Sequence, residues 1–443
     1  MLKNKIVLSV GLISLLNLGA QAQSFAPIGY KASSMGGAGV ASSKNAMASY
    51  YNPALLAKPD SDVEVALGVG IGYVDNGVVE SVNKLNDAGF SALLDKASTD
   101  YTSLTLADRA ALINSKDIII GMDGQGGLVT PDAYFSAQIS SFSLGVIGSS
   151  EIAALAVVDQ TRTQLIFDNG TGGGPTGYTD IETGQTGGYN FYTTNSLVYA
   201  VDPSAVDAAD LSDPTTFLDV DTLSIAEVPL SYGHAFDTAI GDISLGGSFK
   251  FMQGTTYNGK VNIDTEFDDI EDRLKSTEKK TSTFGVDLGL LYEPEFSEGL
   301  RIGLVGKNLN KPEFDRVDGS KIEVDPMIRV GLAYDILDSL EFAIDYDISE
   351  NDTLLASTTG VYKTQYIGGG LNWHPVSWAS LRGGLMDNLS SSQEGTIYTA
   401  GLAVGPSFFQ LDVSAQLSSK ENTVEGDSYP ASARVNIALV SRW

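Results

Sequence analysis

The stretch DSLEFAIDYDIS, residues 338–349, decides the fold. Leu340, Phe342, Ile344 and Tyr346 alternate with Glu341, Ala343, Asp345 and Asp347, so one face is apolar and the other small or acidic. A period of two is that of a β-strand, whose successive side chains point to opposite faces. The pattern recurs in residues 242–251, where Ile243, Leu245, Phe249 and Phe251 oppose Ser244, Ser248 and Lys250. It recurs again at the end of the chain, where Val435, Ile437 and Leu439 lead to a terminal aromatic, Trp443. A soluble protein would turn such a face to a core, whereas a membrane barrel turns it to lipid and its polar face to a lumen. The terminal aromatic and a leader at the other end favour the barrel.

Outward from that stretch, alternating segments fall at about 63–74, 131–139, 141–150, 226–236, 242–254, 282–293, 300–309, 321–336, 338–349, 360–374, 377–388, 395–404, 406–419 and 429–443. The connections keep a two-beat rhythm. Turns of a few residues alternate with longer loops, above all 75–130 and 151–225, as short periplasmic turns alternate with external loops in outer-membrane barrels. The expectation is an all-β fold, a transmembrane antiparallel barrel of about fourteen strands with both termini in the periplasm. Tyr73, Phe236, Phe251, Tyr292, Tyr334, Tyr346, Trp373, Trp378, Phe408 and Trp443 sit near strand ends, where interfacial girdles are built.

Composition fits that expectation. Hydrophobic residues make up 43% of the 443, yet mean hydropathy is only +0.02, as alternation requires. The 48 glycines suit tight turns and lumen-facing positions. A net charge of −28 argues against nucleic acid as a partner, because phosphates would be repelled. The excess acid reads as solvated loops or as divalent-cation bridging to lipopolysaccharide. Cysteine is absent, which excludes disulfides and thiol chemistry.

The first residues are an address. A basic start, an apolar run over residues 6–19 and Ala20-Gln21-Ala22 form a signal peptide, with cleavage before Gln23. The expected organisation is a signal peptide at 1–22, a lumenal segment at 23–60 and a barrel at 61–443. The C-terminal strand ending at Trp443 is the expected handle for the barrel assembly machinery, and membrane lipid is the expected surrounding.

Between leader and barrel lies SSMGGAGVASSKNAMASYYNPALLAKP, residues 33–59, too poor in large apolar residues for a strand. Its glycines have no preceding strand and no following Lys-Ser/Thr, which argues against a phosphate loop. A short helix over residues 44–56, broken at Asn52-Pro53, is expected. The string MGGAGVA with YYNPA, carrying Gly36, Gly37, Gly39, Asn52, Pro53 and Ala54, resembles the N-terminal hatch of the FadL superfamily of outer-membrane hydrophobic-compound transporters. VDLGLLY at 286–292, GLVGKNL at 303–309 and YPASARVN at 429–436 are similar to its TraF-like branch. The resemblance implies a fourteen-stranded barrel plugged by its own N-terminus, with hydrophobic ligand leaving laterally through an opening in the wall beside the hatch. The long loops depart from that pattern, so no ligand-binding residues carry over.

Enzyme chemistry finds little to stand on: no catalytic set, metal site or cofactor is expected. His234 and His374 read as interfacial, and the acidic run at 266–272 lacks calcium-loop spacing. By parity with their apolar neighbours, Asp287, Arg301, Lys307, Arg329, Glu341, Asp345, Asp347, Arg382, Asp412 and Arg434 should point inward, as paired ladders holding a plug or as a polar-solute filter. The first long loop spaces its apolar residues as two amphipathic helices, packed on the rim or forming an external apolar groove. Two functions stay open. One is passive uptake of hydrophobic or amphipathic small molecules; the other is a surface protein, in adhesion or conjugation, for which the barrel is an anchor.

Overall fold

The computed structural model describes residues 25–159, 164–168, 178–182, 184–187, 196–198, 216–261, 275–355, 362–424 and 426–443. The cleavage-site residues Ala20, Ala22 and Gln23 and the acidic run at 266–272 lie outside them.

Fourteen antiparallel strands close into one barrel. They are β1 (Val63–Asp75), β2 (Gly126–Ile139), β3 (Phe142–Val157), β4 (Phe217–Thr238), β5 (Gly241–Val261), β6 (Lys279–Pro294), β7 (Leu300–Lys307), β8 (Met327–Leu337), β9 (Leu340–Asp347), β10 (Tyr366–Val376), β11 (Ala379–Asn388), β12 (Thr396–Val404), β13 (Gln410–Ser418) and β14 (Ser432–Arg442). Closure pairs β1 with β14, setting Leu67 opposite Leu439, and Trp443 exchanges backbone hydrogen bonds with Val63 at 3.0 and 3.1 Å. No sheet edge is left in the wall.

Parity along each strand sets what faces where. On β9, Glu341, Ala343, Asp345 and Asp347 are buried while Ile344 and Tyr346 are exposed. Leu67, Leu230, Phe249, Leu288, Leu385 and Ile437 are likewise exposed on the outer face. Leaving such side chains in water would forgo roughly 1.5–3 kcal/mol each relative to burial, so the outer surface calls for a hydrocarbon surrounding. This is a membrane β-barrel.

The wall departs from the alternation pattern on its outer side. β2 to β5 run on past the expected ends, as far as Val157 and Val261, because loop-side residues keep pairing beyond the apolar band. Phe251, expected near a strand end, therefore sits mid-strand on β5. The segment expected as one strand over 321–336 is split. Lys321–Glu323 pairs with Glu313–Asp315 as an external ribbon, and β8 begins only after Pro326, which has no N–H to give a ladder.

Three helices, not two, form the first external loop. After α1 (Ala48–Tyr51), which precedes the barrel, these are α2 (Val78–Asp87), α3 (Phe90–Thr99) and α4 (Leu106–Gly121). Thr105 and Asp108 cap α4 reciprocally, which starts a separate helix at Leu106. Leu85, Phe90, Leu94, Leu112 and Ile119 pack on one another and on Leu165 and Ile181 of the second loop.

Candidate functional site: the plugged lumen

A barrel of about eight strands is filled by its own side chains, and fourteen leave a lumen. Residues 25–57 occupy it, nearly all of them buried. The segment coils in short turns: Asn45–Met47, then α1, then Pro53–Ala57. The break at Asn52 is the one the sequence suggests. Asn52 is extended (φ −162°), its side chain accepts the Ala54 N–H, and Pro53 follows where a missing N–H does no harm.

Small residues in the wall make the fit possible. A Cβ on Gly246 would lie 2.2 Å from the Pro53 carbonyl carbon, and one on Gly289 would lie 2.0 Å from Asn52 Oδ1. One on Gly303 would lie 2.7 Å from the Val40 oxygen, and one on Gly368 would lie 2.0 Å from the Gly36 oxygen. The wall glycines thus trace a path along which the plug backbone touches the strands directly. On the plug side Gly36 and Gly37 turn with φ of +64° and +80°. Gly39 leaves no room for a Cβ beneath the Tyr51 ring.

Buried polar groups pin this contact. Asp345 accepts the Gly39 and Val40 N–H groups at 2.8 and 2.9 Å, and Asn52 donates to the Val40 and Leu290 carbonyls at 3.0 and 3.1 Å. Arg329 holds Asp347 and donates to the Phe25 carbonyl at 3.0 Å. Arg301 bridges Asp335 and Glu341 and donates to the Ala41 carbonyl at 3.1 Å. Arg382 pairs with Asp412 at 2.6 Å, Arg434 with Asp132, and Lys250 with Asp287 at 3.1 Å. Most of these paired charges are buried, and three of the pairs, Lys250–Asp287, Arg301–Asp335 and Arg329–Asp347, join neighbouring strands. The plug's Phe25, Tyr50 and Tyr51 rings lie against one another, with the Lys307 ammonium 3.4 Å from the Tyr50 centroid and the Arg329 guanidinium 4.0 Å from that of Phe25.

A second segment closes the lumen from outside. Between β9 and β10 the ribbon Asn351–Asp352/Lys363–Thr364 folds into the mouth, burying Thr353, Leu354, Leu355 and Tyr362. Leu354, Leu355 and Tyr362 join Leu128, Leu155, Leu223 and Ile225 of the wall and Phe25, Tyr50 and Tyr51 of the plug in one apolar cluster. Between ribbon and plug a cavity of about 60 Å³ remains; below the plug, a larger one of about 290 Å³ opens among Lys31, Lys44, His374, Arg382 and Arg442. His234 lies on the outer face between Tyr232 and Phe236.

The wall itself is interrupted beside α1. The β3–β4 ladder skips Gly145 and Val146 opposite Val228 and Pro229, and the β2–β3 ladder skips Thr130 and Pro131. An apolar groove of about 320 Å³ lies on the lipid side there, among Phe135, Phe142, Leu144, Val146, Val228 and Leu230. Ser136, across from Gly145, donates to the Ala46 carbonyl of the plug at 2.7 Å.

Sequence reading overlooked Glu151, Glu227, Glu394 and the ribbon. The apolar pair Leu354-Leu355 inside a polar loop was the available signal.

Residues 49–347 match the family described as "F plasmid transfer operon, TraF, protein". None of the curated proteins compared with the chain matches it. Among solved structures the chain is similar to the CymD monoaromatic hydrocarbon channel, at 11% identity and a TM-score of 0.50, over 95% of this chain and 99% of that one. It is also similar to the Ralstonia pickettii toluene transporter TbuX, at 13% identity and a TM-score of 0.49, over 94% and 98%. A Pseudomonas aeruginosa FadL homologue follows at 11% identity and a TM-score of 0.42, over 96% and 99%. At such identities what is shared is the fold.

Proposed function

The chain belongs to the TraF family matched over residues 49–347, and from that premise we propose that it is an outer-membrane transporter of hydrophobic or amphipathic small molecules, gated by its own N-terminal segment. The observation that carries this reading is the single apolar cluster running from the mouth residues Leu354 and Leu355 to Phe25, Tyr50 and Tyr51 of the plug. A water-filled pore for polar solutes would set polar groups along that route. The ladder break at Gly145–Val146, with an apolar groove outside it, and the second break at Pro131 support a lateral exit beside α1. Solute would enter from outside, pass between mouth ribbon and plug, and leave into the membrane when α1 shifts. The strand ending at Trp443 is the proposed handle for barrel assembly, and lipopolysaccharide the proposed neighbour of the acidic loops.

A second reading has its own support. Ion pairs and apolar packing tie the plug to the wall, which suits a rigid anchor for surface loops. Uptake separates the two. Outer-membrane vesicles carrying the chain should take up the apolar fluorophore N-phenylnaphthylamine faster than vesicles without it, and Pro229→Val, which restores a ladder N–H, should slow that uptake. Equal rates with and without the chain would overturn transport; full uptake by Pro229→Val would overturn the lateral exit.

A further inference from the structure

We propose that the cavity of about 290 Å³ beneath the plug binds a small solute carrying an oxyanion, a carboxylate or a phosphate, and that the bound anion bridges plug and wall. The site stands apart from the transport reading. It takes from the outer-membrane reading only that the short-turn end of the barrel faces the periplasm, from which the solute would come.

The charge lining this cavity is opposite in sign to that of the chain. The chain holds 55 acidic residues against 27 lysines and arginines. Yet Lys31, Lys44, Arg382 and Arg442 line this one cavity together with His374, and Asp60 is the single acid among the described lining residues. The other carboxylates that hold these bases stand behind them. Lys31 meets Glu341 at 2.6 Å, Arg382 meets Asp412 at 2.6 Å, and Arg442 meets Glu64. Glu341, Asp412 and Glu64 are buried, and none of the three lines the cavity. Counted with these partners the bases are neutralised. The attraction for an anion therefore comes from arrangement, with cations along the open volume and carboxylates behind it.

The bases also keep donors in reserve. Arg382 uses Nε on Asn372 at 3.2 Å and Nη1 on Asp412 and on the Tyr30 carbonyl. Arg442 uses Nε on Glu64 and Nη1 on Gln410 at 2.9 Å. Neither Nη2 takes part in these bonds, which leaves two N–H donors on each guanidinium. Gln410 accepts through its oxygen, so its amide N–H groups are left over as well. Planar guanidinium donors match the oxygens of carboxylates and phosphates. Lys31 and Lys44 belong to the plug, whereas Arg382 stands on β11, Gln410 on β13 and Arg442 on β14. An anion touching both groups binds the seated plug in preference to a withdrawn one, and so stabilises the seated state by mass action. The volume lies at the small end of ligand pockets, roughly 300–1,000 Å³, which suits a small organic acid or sugar phosphate.

The test is calorimetric titration of citrate, inorganic phosphate and neutral glycerol into the full folded chain in non-ionic detergent at low salt, with heat-modifiable gel mobility as the fold control. Citrate and phosphate should bind, glycerol should not, and added salt should weaken binding. Asp60→Asn, at an exposed position, should tighten citrate binding about fivefold, the effect of removing one like charge about 4 Å away in water. Lys44→Gln should weaken it by a similar factor. Arg382→Lys, which keeps a cation for Asp412 but loses the fork, should also weaken it. Amide hydrogen exchange across plug residues 28–47 should slow when citrate is bound. No heat from citrate or phosphate, or an affinity indifferent to both Asp60→Asn and Lys44→Gln, would overturn the site. Unslowed exchange with citrate bound would overturn the bridge. Displacement of citrate by short-chain phosphatidylglycerol at lower concentration than by phosphate would overturn the soluble source in favour of a lipid headgroup. None of these outcomes depends on vesicle uptake, so the transport reading stands or falls separately.

Discussion

Gly246 of β5 lies so close to Pro53 of the plug that a Cβ added to it would come within 2.2 Å of the Pro53 carbonyl carbon. Backbone cannot yield to that contact as a flexible side chain would. Gly246→Val should therefore push the plug off the wall while the strand itself still pairs with β4 and β6. The barrel should keep its heat-modifiable mobility and gain conductance in planar bilayers. Gly247→Ala, whose Cβ would meet nothing nearer than Leu288 at 3.6 Å, is the control and should remain closed. Equal conductance in the two variants would mean that this contact does not seat the plug.

Asp347→Ala would leave the Arg329 guanidinium buried without its carboxylate, and Arg329 also holds the Phe25 carbonyl. Removing one partner of a buried pair costs about 3–5 kcal/mol. Denaturant unfolding from lipid should register a loss of that size. Arg329→Met/Asp347→Leu, which removes both charges, should recover most of it. A double variant as unstable as the single would place the energy elsewhere.

Leu288 faces outward on β6 and is 55% exposed to the surrounding medium. Leu288→Arg should lower folding stability in lipid bilayers by about 2–4 kcal/mol if the position lies near the midplane. Its inward neighbour Asp287 pairs with Lys250 and accepts the Asn308 N–H at 2.8 Å, so its substitutions should act through the lumen network instead. Insensitivity of stability to Leu288→Arg would contradict the assignment of faces.

The Asn52 side chain makes three hydrogen bonds at 3.0–3.1 Å, one of them to the Leu290 carbonyl on β6. Asn52→Ala should cost about 1–3 kcal/mol for the buried groups it strands. Because those groups fix the plug rather than the wall, vesicle uptake should change at temperatures where the barrel is still fully folded. Loss of the fold before any change in uptake would make Asn52 a scaffold residue only.

The external helices carry a pH response. The Lys96 ammonium donates to Asp108, and with the Thr105 N–H it holds the Asp108 carboxyl down to about 2. A depressed carboxyl stabilises its cap above the usual carboxylate range near roughly 4, and that contribution is lost as pH falls toward the folded value. Pepsin should cleave the start of α4 faster at pH ~2 than at pH ~4. Asp108→Asn should be cleaved fast at both, and a pH-independent native rate would argue against the cap.

The sequence by itself determined the barrel. The fourteen strands follow from parity, because period two is a local property of the chain and an error of one residue would turn lipid-facing leucines inward. The helix break at Asn52-Pro53 was legible for the same reason: a proline and a capping side chain act on their own neighbours. Tertiary structure alone decided which wall glycines meet the plug, since Gly246 and Pro53 are distant in sequence and touch only when the barrel is closed around the segment. It alone brought Leu354 and Leu355 back into the mouth, where Glu151 and Glu394 arrive from different strands and loops. It also decided where the ladder breaks. Pro131 and Pro229 are visible in the sequence, but the gap they flank depends on which residues stand opposite them, and that is fixed only by the register of three neighbouring strands.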